Sequence, residues 1–263
     1  VADRLGADPD QVEIVTGDTD RVPQGTGTFG SRTMMAAGAA IVATIERLAE
    51  ELKPAAAEAL EAAVADIEFA AGVFAVAGTD RRISFKDVTD SIGEIRDVEV
   101  LVSTEGATFP NGCHICEVEI EPETGAVAVL GYVVVDDIGT VINPLLVEGQ
   151  IHGGIAQGFG QALLEQAIYD PESGQLLTAS FSDYTMPRAA DLPLIEVESC
   201  PAPTKANRLG VKGVGEAGTV GALPAVISAV CDALSPLGIR HIDMPATPER
   251  IWRAIREAFP EME

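Results

Sequence analysis

Apolar and polar positions along the chain follow two periods, which predict strands and helices in turn. Two-residue alternation predicts strands at 11–15, 73–76, 82–84, 98–103, 116–135, 176–184 and 194–199, with a hairpin turn at Glu123-Thr124-Gly125. Helical spacing predicts helices over 31–53, from Pro54 onward, over 143–165, up to 234 and from Pro248. We therefore expect an α+β fold, with one domain over 1–263 that can be divided into lobes at 1–104 and 105–263.

The helix expected after Asn143-Pro144 is unusually rich in glycine, at positions 149, 153, 154, 158 and 160. Each glycine costs about 1 kcal/mol in a helix interior. So many of them indicate that another backbone or a ligand approaches this helix closely. Gln150, Gln157 and Gln161 are its polar exceptions, and we expect Gln157 and Gln161 to be solvated.

The charge of the chain excludes several classes of function. With 17 basic and 41 acidic residues, the net charge is −24, which opposes binding to nucleic acid or to an anionic membrane. No run of 18 apolar residues predicts a membrane span, and no secretory leader is recognisable. Four cysteines without the spacing of a disulfide framework favour a reducing cytoplasm.

A first candidate site is Gly25-Thr26-Gly27-Thr28-Phe29-Gly30, which Ser31-Arg32-Thr33 follows at the start of a helix. In this G-x-G-x-x-G spacing, N–H groups at a helix N-terminus can bind an anion. A dinucleotide-binding fold requires the glycines directly after a strand, whereas nine residues separate Val15 from Gly25. The segment alone is equally compatible with an ordinary glycine-rich loop.

A second candidate site is Lys212-Gly213-Val214-Gly215-Glu216-Ala217-Gly218-Thr219, which repeats the same glycine spacing. It lacks a close preceding strand and the ending of a P-loop. Glu216 is a carboxylate among small residues, and one interpretation is a surface glutamate on a flexible turn. In the other, the glycines hold Glu216 beside a buried ligand, where it acts as a general base.

Cysteine and histidine residues do not predict a metal site. Cys113 and Cys116 have C-x-x-C spacing, but a closed zinc site usually needs two such pairs, and the sequence has no second pair. The four cysteines also lack the spacing of an iron–sulfur cluster. His152 and His241 are interpreted as structural, so we expect no direct metal ligand from this chain.

Several segments together resemble the molybdenum hydroxylases, the family of xanthine oxidase, aldehyde oxidase and carbon monoxide dehydrogenase. In order, they are Gly17-Asp18-Thr19-Asp20, Gly30-Ser31-Arg32, Asn143-Pro144, Glu148-Gly149-Gln150, the loop 212–219 and Pro245-Ala246-Thr247-Pro248-Glu249-Arg250-Ile251. Each segment is weak alone, but the ordered set is specific and spans nearly the whole chain. The resemblance implies the C-terminal part of the molybdenum-cofactor-binding domain of a large subunit, with mixed sheets packed with helices.

The resemblance also implies roles for individual residues. Cofactor contacts would come from Thr28, Phe29, Gly30, Ser31, Arg32, Thr33 and Gly215. Gln150 would approach the molybdenum centre, and Glu216 would be the catalytic base. The implied cofactor is molybdenum–molybdopterin in its cytosine dinucleotide form.

The implied reaction oxidises an aldehyde, an N-heterocycle or carbon monoxide with a water-derived oxygen. Electrons would leave through 2Fe–2S clusters to FAD on partner domains or subunits. The first half of the molybdenum domain is not in this sequence, so we expect the N-terminal portion of the molybdenum subunit, an iron–sulfur subunit and a flavin subunit as partners. Two alternatives stay open: an NAD(P)-binding dehydrogenase domain and a noncatalytic assembly domain with the family fold.

Overall fold

A computed structural model describes residues 1–22, 24–25, 27–93, 97–103 and 106–259. The chain divides into two compact units. The first unit is Val1–Gly106 with Ala206–Leu209, and the second unit is Ala107–Lys205 with Gly210–Glu263. Thr26 of the first glycine pattern, and the predicted lobe boundary at 104–105, lie outside the described residues.

The first unit combines helices with a small antiparallel sheet. Its elements are α1 (Ala2–Leu5), α2 (Thr33–Ala59), β1 (Ile67–Ala70), β2 (Val73–Val76), β3 (Arg82–Ser84) and α3 (Phe85–Ile92), with 3-10 turns at Pro9–Gln11 and Val64–Asp66. The sheet order is β1-β2-β3, and both pairs are antiparallel, which confirms the predicted hairpin of 73–76 and 82–84. The core of this unit includes Leu52, Phe74 and Val88, each at most 1% exposed.

Pro54 does not end the first long helix, as the sequence had indicated. It lies inside α2, which continues to Ala59. The buried stripe also continues past it, because Leu52, Ala56 and Ala57 all lie in the core. Burial of this apolar face offsets the cost of an interior proline, which is about 3 kcal/mol.

Three further differences concern the first unit. The predicted strand at 11–15 is wrong, because Pro9–Gln11 forms a 3-10 turn and no strand follows it. The alternation at 98–103 does not produce a strand either. Helix α3 was not predicted. Its start does carry a sequence signal, because the Ser84 side chain caps it by accepting a hydrogen bond from the Asp87 N–H.

The second unit has a mixed sheet covered by helices. Its elements are β4 (Asn111–Ile120), β5 (Val127–Asp137), α4 (Pro144–Leu163), β6 (Ile195–Ser199), α5 (Ala217–Leu234) and α6 (Pro248–Ala258), with 3-10 turns at Ala189–Asp191 and Ser235–Leu237. Strands β4 and β5 are antiparallel, whereas β5 and β6 are parallel. The α+β class with mixed sheets is confirmed, but the strand predicted at 176–184 is wrong, since this stretch has no extended strand.

The core of the second unit lies between the sheet and the helices. Tyr132 and Val134 of β5 are buried against apolar residues of α4 and α5, among them Ile155 and Val226. The β4–β5 register shifts at Glu117/Val118, so one extra residue of β5, Leu130, bulges outward and is exposed. Caps set two helix starts as predicted: Asn143 accepts from the Leu146 N–H, and Thr247 accepts from the Arg250 N–H.

One helical stretch, Ala217–Leu237, is long and apolar enough to cross a membrane by length and composition, counting only the residues that the structure describes. Length and composition alone do not distinguish a membrane span from the core helix of a soluble protein. In the second unit, α5 packs against α4 and β4.

Candidate cofactor site

Helices α4 and α5 contact each other through glycines. A Cβ added to Gly154 would lie 2.8 Å from the Thr219 N atom, and a Cβ added to Gly158 would lie 2.7 Å from the Ala222 Cβ. A Cβ on Gly218 would overlap the Ile151 carbonyl oxygen. Of the five glycines predicted to allow a close approach to α4, Gly154 and Gly158 therefore face another helix, whereas an added Cβ at Gly149 or Gly153 would meet nothing within 4 Å.

These contacts show that the two helices run in the same direction. Gly154 meets Gly218 and Thr219, and Gly158, one turn later, meets Ala222. The Thr219 hydroxyl strengthens the contact by donating to the Gly154 carbonyl at 3.0 Å. The N-terminal ends of α4 and α5 are therefore directed toward the same side of the second unit.

Gln150 lies on the same stripe of α4 as Gly154 and Gly158, because residues four apart share one helix face. Gln150 thus lies one turn nearer to the start of α4 than Gly154, which contacts Thr219. Gln150 is exposed. Gln150 on α4 and Glu216 at the start of α5 thus both precede the contact between the two helices.

Glu216 is the N-cap residue of α5 and is exposed, as is Gly215 beside it. Its carbonyl accepts the first helical hydrogen bond, from the Val220 N–H at 3.0 Å. Its backbone position therefore follows from the start of α5, which α4 holds. The carboxylate of Glu216 is therefore accessible, and its role as a general base stays a prediction.

Lys212, at the start of this loop, forms a nearly buried ion pair that sequence reasoning missed. Its Nζ atom donates to Asp137 Oδ2 at 2.5 Å. The other oxygen, Oδ1, accepts hydrogen bonds from the Gly139 and Ala202 N–H groups, both at 2.9 Å. Burial alone would raise the pKa of Asp137, but the hydrogen bonds from Lys212, Ala202 and Gly139 outweigh it and lower the pKa to about 2.

The backbone around this ion pair is also tied together. The Lys212 N–H donates to the Ile138 carbonyl at 2.8 Å, and the Thr140 N–H donates to the Gly210 carbonyl at 2.9 Å. Gly139 has a φ of 67°, and a Cβ there would overlap the Gly210 carbonyl oxygen. We call residues 137–140 and 210–212 the clasp. In the sequence, the only signals of the clasp are Asp136-Asp137 at the end of the β5 pattern and Lys212 before the glycines.

A buried polar cluster lies between β4, β5 and α5. His114 Nδ1 is 2.8 Å from the Tyr132 hydroxyl, and His114 Nε2 is 3.5 Å from Asp136 Oδ1. Burial raises the pKa of Tyr132. A Cβ on Gly221 would overlap the His114 ring, so α5 lies directly against this cluster. No role for His114 was predicted from the sequence.

The loop at the start of α2 forms the other candidate site, in the first unit. The Arg32 guanidinium lies 3.6 Å from the centre of the Phe29 ring and donates to the Gly27 carbonyl at 3.3 Å. The Thr28 and Thr33 hydroxyls are 2.6 Å apart. Gly27, Gly30 and Ser31 all have positive φ. The loop is therefore tightly turned, with hydroxyl and guanidinium groups at the N-terminus of a 27-residue helix.

Neither glycine pattern directly follows a strand. Residues 12–22 contain none, and only an isolated bridge between Gly139 and Val211 precedes the second pattern. The structural context of an NAD(P)-binding Rossmann loop is thus missing at both places. Within the described ranges, no group of three or more His, Cys, Asp or Glu side chains is placed to hold a metal ion.

The other cysteines and histidines lie apart from these loops in the sequence. Cys113 and Cys116 are on β4, three residues apart, so their side chains point to opposite faces of the strand. His152 lies on α4, and its Nε2 atom is buried with no hydrogen-bond partner among the described residues. His241 is exposed beside Asp243, with Nε2 at 3.0 Å from its Oδ1.

Comparisons with known proteins agree with the resemblance. A family model described as the molybdopterin cofactor-binding domain matches residues 1–193. The carbon monoxide dehydrogenase large chain of Hydrogenophaga pseudoflava is 34% identical, over 98% of this chain and 33% of its own length. The nicotine 6-hydroxylase large subunit of Paenarthrobacter nicotinovorans is 37% identical, over 97% of this chain and 33% of its own.

Two solved structures share the fold. Reconstituted CO dehydrogenase from Oligotropha carboxidovorans matches 97% of this chain with a TM-score of 0.89 and 32% identity, over 33% of its own chain. Quinoline 2-oxidoreductase from Pseudomonas putida 86 matches 89% of this chain with a TM-score of 0.78 and 37% identity, over 31% of its own. This chain thus spans about a third of the length of these relatives. It belongs to the molybdenum hydroxylase family and corresponds to part of the large subunit, including the molybdopterin cofactor-binding domain.

Proposed function

We propose that this chain forms one part of the molybdopterin site of a molybdenum-dependent hydroxylase, with Glu216 as the general base. The observation that carries the proposal is the parallel packing of α4 and α5. Gln150 precedes this contact on α4 and Glu216 caps α5, and both residues are exposed, which supports a site that they share. A bound cofactor and a substrate can therefore reach both side chains.

The loop at the start of α2 suits the phosphate groups of such a cofactor. Its N–H groups lie at the positive end of a long helix, which favours a bound anion. Hydroxyl groups and the Arg32 guanidinium add hydrogen-bond donors. The proposed cofactor contacts in the first unit are Thr28, Phe29, Gly30, Ser31, Arg32 and Thr33. The proposed contacts in the second unit are Gln150 and Gly215. A dinucleotide form, with its pyrophosphate, would use these donors most fully, which supports the cytosine dinucleotide.

When bound, the molybdenum cofactor supplies two-electron redox chemistry and the place where a water-derived oxygen is activated. As general base, the Glu216 carboxylate would accept a proton from that oxygen. The Gln150 amide, which can both donate and accept hydrogen bonds, orients the reacting groups beside it. Gly215, which has no side chain, leaves room for the cofactor next to Glu216.

The complete reaction extends beyond this chain. Relatives with the names carbon monoxide dehydrogenase, nicotine 6-hydroxylase and quinoline 2-oxidoreductase support a small substrate such as CO or an N-heterocycle. An aldehyde is proposed from the sequence resemblance alone. The N-terminal portion of the molybdenum subunit would complete the site. Electrons would pass to 2Fe–2S clusters and FAD on partner domains or subunits, in a cytoplasmic complex.

The test is Glu216→Gln in the complete complex, assayed with whichever of CO, aldehydes or N-heterocycles reduces the wild-type enzyme. Loss of the base should lower kcat by about 10²–10⁴-fold, while the molybdenum content stays at the wild-type level. Glu257→Gln, at an exposed carboxylate on α6, is the matched control and should leave kcat unchanged. Near wild-type turnover of Glu216→Gln would contradict the role of Glu216.

A further inference from the structure

The ion pair between Lys212 and Asp137 lies at the base of the loop that carries Glu216. Both side chains are nearly buried, at 10% and 12% exposure. A buried ion pair adds little net stability, because the cost of desolvating two charges offsets their attraction. A better supported use of such a pair is to select one arrangement of the chain. Lys212 lies four residues before Glu216, so the arrangement that the ion pair selects also affects the position of Glu216.

We propose that the Asp137–Lys212 pair is the positioning device for the catalytic base: it fixes the loop 212–216 and so sets where the Glu216 carboxylate stands. This inference rests on the proposed function of Glu216. Lys212 and Asp137 are positioning residues, since they act on the reaction only through Glu216.

The carboxylate of Asp137 is itself held in one orientation. Its Oδ1 atom accepts from two backbone N–H groups, those of Gly139 and Ala202. Its Oδ2 atom is consequently directed at the Lys212 ammonium. The Asn111 side-chain amide also donates to Oδ2, at 3.4 Å, so four donors fix this carboxylate and make it a rigid anchor for the lysine.

The clasp holds the backbone of the loop as well as its side chain. Two backbone hydrogen bonds join the two segments of the clasp, one on each side of Val211. They run from the Lys212 N–H to the Ile138 carbonyl and from the Thr140 N–H to the Gly210 carbonyl. The absence of a side chain at Gly139 is what allows the two segments to approach so closely. The loop therefore leaves the core of the second unit from a defined point.

The other end of the loop is fixed independently. Gly218 lies against α4, and the Thr219 hydroxyl donates to the Gly154 carbonyl. Between these anchors run only the residues 213–217, which include Glu216. Loss of the Lys212 charge would therefore loosen one end of a short loop, while the backbone hydrogen bonds of the clasp and the α4–α5 contact stay in place, so the effect is expected to be local.

The test compares Lys212→Met with wild type in the complete, purified complex. Backbone amide exchange of 210–216 should rise by about tenfold, because the local opening is easier, while exchange in β4 and β5 stays unchanged. Displacement of the base should lower kcat by about 10²-fold with little change in KM. Molybdenum content should equal that of the wild type, and Lys212→Arg, which keeps the charge, should restore most of kcat.

Lys205→Met is the matched control, because Lys205 is exposed and lies seven residues earlier in the same unit. It should change neither exchange nor kcat. Unchanged exchange of 210–216 in Lys212→Met would overturn the proposal, and so would loss of protection throughout the second unit. If the wild-type complex contains no molybdenum, the proposed function fails. The exchange data would then decide by themselves whether the pair anchors the loop.

Discussion

The two glycine patterns of this chain have the same spacing but different structures. In the first, Gly27 and Gly30 have φ values of 75° and 60°, and an added Cβ would meet nothing within 4 Å. In the second, Gly218 lies against the backbone of α4, at Ile151 and Ile155. The first loop uses the backbone freedom of glycine, whereas the second uses its lack of a side chain.

This difference shows why glycine spacing alone does not define a site. The first pattern forms a tight turn that exposes donors at the start of α2. The second pattern carries Glu216 and is held at both ends. Gly218 packs against α4 at one end, and Lys212 belongs to the clasp at the other. Substitutions in the two loops should therefore destabilise the protein for different physical reasons. Measurements of unfolding on separate variants can distinguish these reasons.

The largest effect on stability is expected for Gly218→Ala. The new methyl group would overlap the Ile151 carbonyl oxygen and come within 2.9 Å of the Ile155 N atom, neither of which can move without shifting α4. Overpacking of this kind costs about 1–3 kcal/mol. The free energy of unfolding, measured in denaturant on the purified protein, should fall by this amount.

Gly153→Ala on α4 is the control for that experiment. An added Cβ at Gly153 would meet nothing within 4 Å. Alanine there should stabilise the helix by about 0.5–1 kcal/mol, because it restricts the unfolded chain. Equal destabilisation by both substitutions would mean that the α4–α5 contact does not depend on these glycines.

Acid should weaken the Asp137–Lys212 ion pair at the base of the second loop. The pKa of Asp137 is lowered from 3.8 to about 2. Its stabilisation is therefore fully present above about pH 4 and is lost as the pH falls through about 2, a change on the order of 2 kcal/mol. Unfolding of wild type and Asp137→Asn, measured from pH 6 to pH 2, should show a difference that shrinks over this range. A difference that is constant with pH would contradict this assignment.

The smallest effect is expected in the first loop, for Gly27→Ala. Space is available, so the cost arises from the left-handed backbone and should be about 1 kcal/mol. Gly27→Asn should cost less, because asparagine tolerates this conformation. Thermal unfolding of both variants tests this. If the alanine and asparagine variants were equally destabilised, conformational strain would not be the cause.

Much of the fold could be predicted from local patterns. The β4–β5 hairpin, α4 and α6 were predicted because alternation, turn glycines and caps all agree at these places. Pro54 was misinterpreted because local propensity favours a break, while burial on both sides of it favours one continuous helix. The strands predicted at 11–15 and 98–103 were wrong because alternating residues form a strand only when a partner strand is available.

The candidate site was only partly predictable. Glu216 and Gln150 stood out as polar residues among glycines, but their roles were implied by the family resemblance and stay predictions. The clasp could not be found in this way, because Asp137 and Lys212 are 75 positions apart. Nothing in the local pattern of either residue indicates the other.

The central claim is that this chain forms part of a molybdopterin site, and metal and nucleotide analysis tests it most directly. Molybdenum and released cytidine monophosphate would be measured in the complex that co-purifies with this chain from its native host. The account predicts near-stoichiometric amounts of both. Molybdenum without the nucleotide would keep the site but change the form of the cofactor. A complex that retains its partners and flavin but contains no molybdenum would contradict the claim.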